Sequence, residues 1–260
     1  MVQLSAVPDP AEVPERAGGA RERNRLARHR SYLRAALRVI SEEGLDALTM
    51  QRLAAEVGAS VGSVYTYFSS KGALVAEVQR EAVERLAASA VRLGGEVDAV
   101  VAGEPAGVAL LTPVVAFGRW WLTADTTHPE EMRLLLLLLS DHREVVPVDE
   151  AGRVVPAALR LLALAESRLR AAADAGVLGS WPDGGTPEQR TVALAAALTG
   201  CLQLQVVQRW DPDLLDPRAT GRHVLDALLL GWGAEPAAVA AAHHLVDRLE
   251  ATGPLARPAT

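Results

Sequence analysis

The chain has 260 residues, 50% of them hydrophobic and only 4% aromatic, enough for one large or two modest folded units that need neither disulfide nor metal. The lone Cys201 excludes a disulfide framework and a cysteine-rich zinc site and suits a reducing cytoplasm. The first 15 residues carry acids and prolines instead of a basic start and an apolar core, and the most apolar run, 134–139, is far shorter than the roughly 20 residues a membrane span needs. No membrane partner and a cytoplasmic location are therefore expected.

Charge is divided along the chain. Residues 21–71 hold nine basic side chains against five acids, whereas residues 72–260 carry a net −8 of the total −6. A basic head on an acidic body points to a polyanion met by the head alone; an arginine-rich solvated helix is the competing explanation.

In chain order, residues 1–20, with Pro8, Pro10, Pro14, Gly18 and Gly19 and few large apolar groups, are expected to form a disordered arm. Everything from 21 to about 252 reads as helix: apolar positions recur at three and four, and no strand-length alternation occurs. The expected fold class is all-α, a three-helix head over 21–70 and a larger helical body over 71–252, with a flexible tail over 253–260. A first helix over 21–43 places Leu26, Leu33, Leu37 and Ile40 on one stripe and ends at Gly44. Thr49 caps a second, with Met50, Leu53, Ala54 and Val57 inward and Gly58 at its end; Ser60 caps a third over 61–67, with Val64 and Phe68 inward. A fourth runs from about 70 to 93. Six more are expected at about 105–124, 129–141, 153–174, 187–210, 217–232 and 236–250. The starts at Thr186-Pro187-Glu188-Gln189 and Asp216-Pro217 are marked by an N-cap before proline, the former with a capping-box glutamine.

Helix, glycine turn, helix over 49–68, preceded by a helix able to pack across both, is a helix-turn-helix. Such a unit lays its last helix in the major groove of double-stranded DNA. Gly62 admits close backbone approach, Ser63 and Thr66 can bond base edges or phosphate, and Thr66 also offers a methyl to thymine. Tyr65 and Tyr67 can donate hydroxyls to phosphates, and arginines of the first helix can add phosphate contacts. Lys71, the one lysine among 26 basic residues, stands at the start of the fourth helix as a phosphate anchor. Tyr32 is expected in the core.

The stretch 58–74, Gly-Ala-Ser-Val-Gly-Ser-Val-Tyr-Thr-Tyr-Phe-Ser-Ser-Lys-Gly-Ala-Leu, and the connection from Glu43-Gly44 to Thr49 resemble the recognition region of TetR-type transcriptional regulators. The resemblance covers residues 25–75. It implies DNA contacts at Thr49, Gln51, Ser60, Val61, Gly62, Ser63, Tyr65, Thr66, Tyr67 and Lys71, although Val61 stands where many members carry a longer polar or basic side chain. It also implies a homodimer, a palindromic operator, and repression relieved when a small-molecule effector binds the body. No cofactor is implied.

Competing motifs are weaker. Gly58-Ala59-Ser60-Val61-Gly62 matches the Gly-x-Ser-x-Gly pattern of hydrolases, but that elbow needs a strand before the serine, and here a helix precedes it. His243 and His244 are adjacent and no histidine has a partner at i+4, so no metal site and no enzyme are expected. A helical interaction module without specific DNA binding is the alternative. In the body, Phe117, Trp120 and Trp121 with Arg119 are the expected lining of an effector pocket for an apolar or aromatic ligand, while Met132, Trp181, Trp210 and Trp232 are the other large groups. Two of the last three helices are expected to dimerise, with Ala195, Ala196, Ala197 and Gly200 allowing close approach, and internal packing is the equal alternative.

Overall fold

The computed structural model describes residues 15–140, 148–179, 186–253 and 255–256. Residues 1–14 of the expected arm, Trp181, and most of the expected tail lie outside them. Among the described residues the fold is all-α, with ten α-helices: α1 (Glu15–Glu43), α2 (Met50–Glu56), α3 (Val61–Tyr65), α4 (Lys71–Val100), α5 (Ala106–Thr127), α6 (Pro129–Ser140), α7 (Val148–Asp174), α8 (Pro187–Leu202), α9 (Pro217–Gly231) and α10 (Pro236–Ala251). Two compact units divide after Leu74.

The first unit closes on an apolar kernel made by the predicted stripes. Tyr32, Leu33, Ala36, Leu37 and Ile40 of α1, Leu48, Met50, Leu53 and Ala54 around α2, and Val64 and Phe68 at α3 are all buried. Leu26 is not part of it; at 47% exposure it lies beyond the reach of α2 and α3. The helix also begins six residues before Arg21 and runs through Gly18-Gly19, where the sequence reading placed a disordered arm. Gly44 and Gly58 end α1 and α2 at φ +90° and +64°, values that a side chain resists. Thr49 Oγ1 accepts from Arg52 N at 3.0 Å and Ser60 Oγ from Ser63 N at 3.2 Å, the expected N-caps.

In the second unit α5 is the central element, packed against α6, α7, α8, α9 and α10. It is long and apolar enough to cross a membrane by length and composition, yet 67% of that window is buried inside the unit, as befits a core helix. Two glycines let α5 and α9 nest. A Cβ on Gly118 would meet Leu225 Cδ2 at 2.8 Å, and one on Gly221 would collide with Leu122. Three helix ends differ from the sequence reading. α4 continues through Gly94-Gly95 to Val100, because Leu86, Ala90, Leu93 and Val97 extend one buried stripe past the glycines and packing outweighs their helix penalty. α7 starts at Val148. α8 stops at Leu202, and the chain continues in tighter 3-10 turns over Gln203–Val206 and Gln208–Trp210. The capping box at α8 is formed in both directions, and the Thr186 hydroxyl and Glu188's own backbone amide, with Arg170, hold the Glu188 carboxyl down to about 2.

Candidate nucleic-acid interface

Val64 and Phe68, fully and almost fully buried, pin α3 to the first unit and so decide which of its residues face out. Gly62, Tyr65 and Thr66 are exposed; Ser63, Tyr67 and Val61 are half-buried. Tyr65 stands 51% exposed. Thr66 Oγ1 donates back to Gly62 O at 3.1 Å. Gly62 is informative because nothing lies within 4 Å of a Cβ built on it and its backbone is ordinary helix. The fold itself therefore has no need of glycine there, and a helix normally loses stability by having one.

Several of the expected contact residues already serve the fold. Ser63 Oγ lies 2.9 Å from the hydroxyl of Tyr32, which is 99% buried as expected. Tyr67 sits against Tyr32, ring centroids 5.2 Å apart, and Phe68 stacks on His29 at 5.2 Å. Lys71 departs from a free anchor: its Nζ donates to Leu45 O at 3.0 Å, fastening the α1–α2 connection. An ammonium has three donors, so two remain for a second partner. Gln51 is exposed, and Thr49 and Ser60 keep hydroxyl capacity beyond their caps.

Sequence reading missed the neutralisation of two arginines. Arg52 reaches both Glu43 and Glu56 at 2.7 Å, and Arg38 reaches Glu56 at 3.1 Å. These bonds, Arg52's first and then Arg38's, hold the Glu56 carboxyl below the usual range. It also missed a groove of about 410 Å³ beside the α2–α3 turn, lined by Asn24, Arg28, Ser31, Tyr32 and 57–59. Long-range pairing of this kind leaves no periodic mark in a sequence.

In the second unit the structure does gather Phe117, Trp120 and Trp121, with centroids 5.5 to 6.2 Å apart, but as buried core. Arg119 is drawn away from them to Asp247 at 2.6 Å and to Glu250 on α10, because a guanidinium inside a helical core is held only where carboxylates meet it. Phe117 does line a cavity of about 480 Å³ between α4, α5 and α7, with Leu93, Gly94, Val97, Pro113 and Leu164 as apolar wall and Arg168 bound to Asp98 at 3.2 Å on its lining. The Nε1 groups of Trp120 and Trp121 are buried without a hydrogen-bond partner. Cys201 is buried and free, its thiol pushed up by burial.

Comparison with known proteins places the first unit. Residues 33–78 match the family model for bacterial regulatory proteins of the tetR family. Over 68 residues, 26% of this chain, the sequence is 41% identical to the HTH-type transcriptional repressor Rv1474c of Mycobacterium tuberculosis strain ATCC 25618 / H37Rv, and the match spans 36% of that relative's length. The fold is similar to that of SmeT, the repressor of the Stenotrophomonas maltophilia multidrug efflux pump SmeDEF, with 19% identity, 81% of this chain and 92% of that one covered and a TM-score of 0.53. SmeT is also known as a complex with triclosan. It is similar as well to the transcriptional regulator FadR from Bacillus subtilis in complex with stearoyl-CoA, at 14% identity, 78% and 98% coverage and a TM-score of 0.54. At such identities the likeness is one of fold.

Proposed function

The chain belongs, through its N-terminal domain, to the tetR family of bacterial regulatory proteins, and from that premise we propose that it is a ligand-responsive transcriptional repressor. It binds a palindromic operator as a homodimer through two copies of α3 and releases it when a small apolar or aromatic molecule enters the second unit. The observation that carries the DNA reading is the outward face of α3. Gly62 is open, Tyr65 is exposed and Thr66 has its hydroxyl turned back on the helix, on a rod fixed by Val64 and Phe68. Gly62 costs the helix stability and answers no need of the fold. Gly62, Thr66 and Gln51 meet the groove, Ser60, Val61 and Ser63 flank it, and Thr49, Tyr65, Tyr67 and the spare donors of Lys71 meet phosphates.

The effector occupies the cavity bounded by α4, α5 and α7, where Phe117 offers a ring in a largely apolar wall that also carries Ser167 and the Arg168–Asp98 pair. Ligand-bound relatives of the same fold, SmeT with triclosan and FadR with stearoyl-CoA, support a small-molecule site in the body. A second copy docks along α8 and α9, where Val192, Ala196 and Gly200 form an exposed row at i, i+4 and i+8, and a Cβ on Gly200 would meet nothing. The switch is the spacing of the two recognition helices, matched to half-sites about 34 Å apart when DNA is bound. An effector works only by preferring the other spacing.

Fluorescence-anisotropy titration against the DNA upstream of its own gene and a scrambled duplex, with molar mass measured in parallel, tests the proposal. Binding by a dimer about a thousandfold tighter than to the control supports it. Equal, weak, salt-labile binding of both duplexes by a monomer overturns it.

A further inference from the structure

The arginines of the first unit fall into two kinds. Arg38 and Arg52 are neutralised by Glu43 and Glu56. Arg21, Arg23, Arg28, Arg30 and Arg34 have no carboxylate partner among the described residues, and Arg25 has only Glu22 at 3.7 Å, both more than half exposed. Residues 21–28 are exposed without exception, and all of them precede the segment that matches the family model, which starts at residue 33. Most of the unneutralised charge is thus carried on a formed helix ahead of the segment that matches the family model.

Helix periodicity sorts these side chains. Positions 21, 25, 28 and 32 stand at i, i+4, i+7 and i+11, one stripe along α1. The last of them, Tyr32, touches Ser63 of α3, and Arg28 lines the groove beside the α2–α3 turn. Arg23, Arg30 and Arg34, at i, i+7 and i+11, lie on the opposite side. One row therefore shares the side of the recognition helix and the other turns away from it.

We infer that Arg21, Arg25 and Arg28 form a second DNA contact, a rail that meets the phosphates flanking the bases under α3. The inference rests on the reading of α3 as the recognition helix. From Arg21 to Tyr32 the helix rises about 16 Å, the length of about five base-pair steps, so the rail widens the footprint on each half-site. Five arginines against one acid over residues 21–30 complement a polyanion, and a preformed helix presents them without an ordering cost at binding. Phosphate contacts carry no sequence information, so the rail supplies affinity and register while α3 supplies choice.

The test uses a duplex enriched by the wild-type protein from a randomised library, prepared as the selected core and as the core with ten further base pairs of unselected sequence on each side. Two full-length triple variants are compared with wild type, Arg21→Gln/Arg25→Gln/Arg28→Gln and Arg23→Gln/Arg30→Gln/Arg34→Gln. All six side chains are surface groups, and helicity by circular dichroism confirms that both variants fold. The wild type prefers the longer duplex. The first variant loses that preference, binds roughly tenfold or more weakly at about 0.1 M salt, and shows a log K against log salt slope shallower by about 0.9 per lost phosphate contact. Its ratio of selected to scrambled DNA stays unchanged, and the second variant stays close to wild type throughout. Equal losses in both variants, or none in the first, overturn the rail while leaving the recognition helix intact. A wild-type protein that enriches no duplex overturns the parent reading instead.

Discussion

The two units spend their polar side chains differently. In the second, most of the chemistry is internal: Arg119 is held by Asp247 and Glu250 and Ser89 joins His128 Nε2 at 2.8 Å to Ala256 O at 3.0 Å, while the Trp120 and Trp121 Nε1 groups are buried without a partner. In the first, Tyr65 stands in solvent, Gly62 leaves a space that no neighbour needs, and among the described residues the arginines of α1 from 21 to 34 meet no carboxylate but Glu22, 3.7 Å from Arg25. Groups with partners are explained by stability. Groups that cost the fold something and have no internal partner are explained by a partner outside it.

That contrast can be broken from either side. Gly62→Leu combined with Tyr65→Ala is expected to lower specific DNA affinity by about a hundredfold or more while moving stability by only about 0.5 kcal/mol, read by anisotropy and urea unfolding. Gly62→Ala sharpens it further: the fold gains up to about 1 kcal/mol of helix propensity and DNA binding weakens. Gains in both would mean that the open space has no occupant. In the second unit Gly221→Ala forces a methyl into Leu122 and is expected to cost about 2 kcal/mol, partly restored by Leu122→Ala, since overpacking is relieved from the other side.

Removing the buried guanidinium with Arg119→Met is expected to cost about 2 kcal/mol, less than a fully buried pair because Asp247 is 54% exposed. An unchanged unfolding midpoint would show that the pair contributes nothing. Ser60→Ala removes the cap of α3 and should cost about 1 kcal/mol.

The smallest effect is a pH slope. Burial first, and then Arg92, push His128 below the ordinary histidine range, while Glu131 and the bond to Ala256 pull the other way. The unfolded chain takes up the proton first as pH falls. Stability is therefore complete above the ordinary histidine pKa and declines as pH drops below it. Urea midpoints measured between pH 7.5 and 5.5 in wild type and His128→Gln check this, the variant losing part of the decline.

What the sequence determined by itself is local. Helix starts at Thr49, Ser60, Thr186 and Asp216, ends at Gly44 and Gly58, and the inward pair Val64 and Phe68 were all legible, because caps, turn glycines and the 3.6-residue period act within a few positions of one another. The same period indicated Gly62, Ser63, Thr66 and Tyr67 as outward; Gly62 and Thr66 are exposed, but Ser63 and Tyr67 are half-buried against Tyr32, and Tyr65 is exposed instead. Tertiary structure alone decided that Arg119 leaves its aromatic neighbours for carboxylates 128 and 131 positions away, that Lys71 ties down Leu45, that Ser89 reaches a carbonyl 167 residues on, and that α4 runs through two glycines. Each of these depends on which surfaces are buried together. A buried charge takes the nearest carboxylate in space, and a packed stripe overrides propensity, whatever the spacing along the chain.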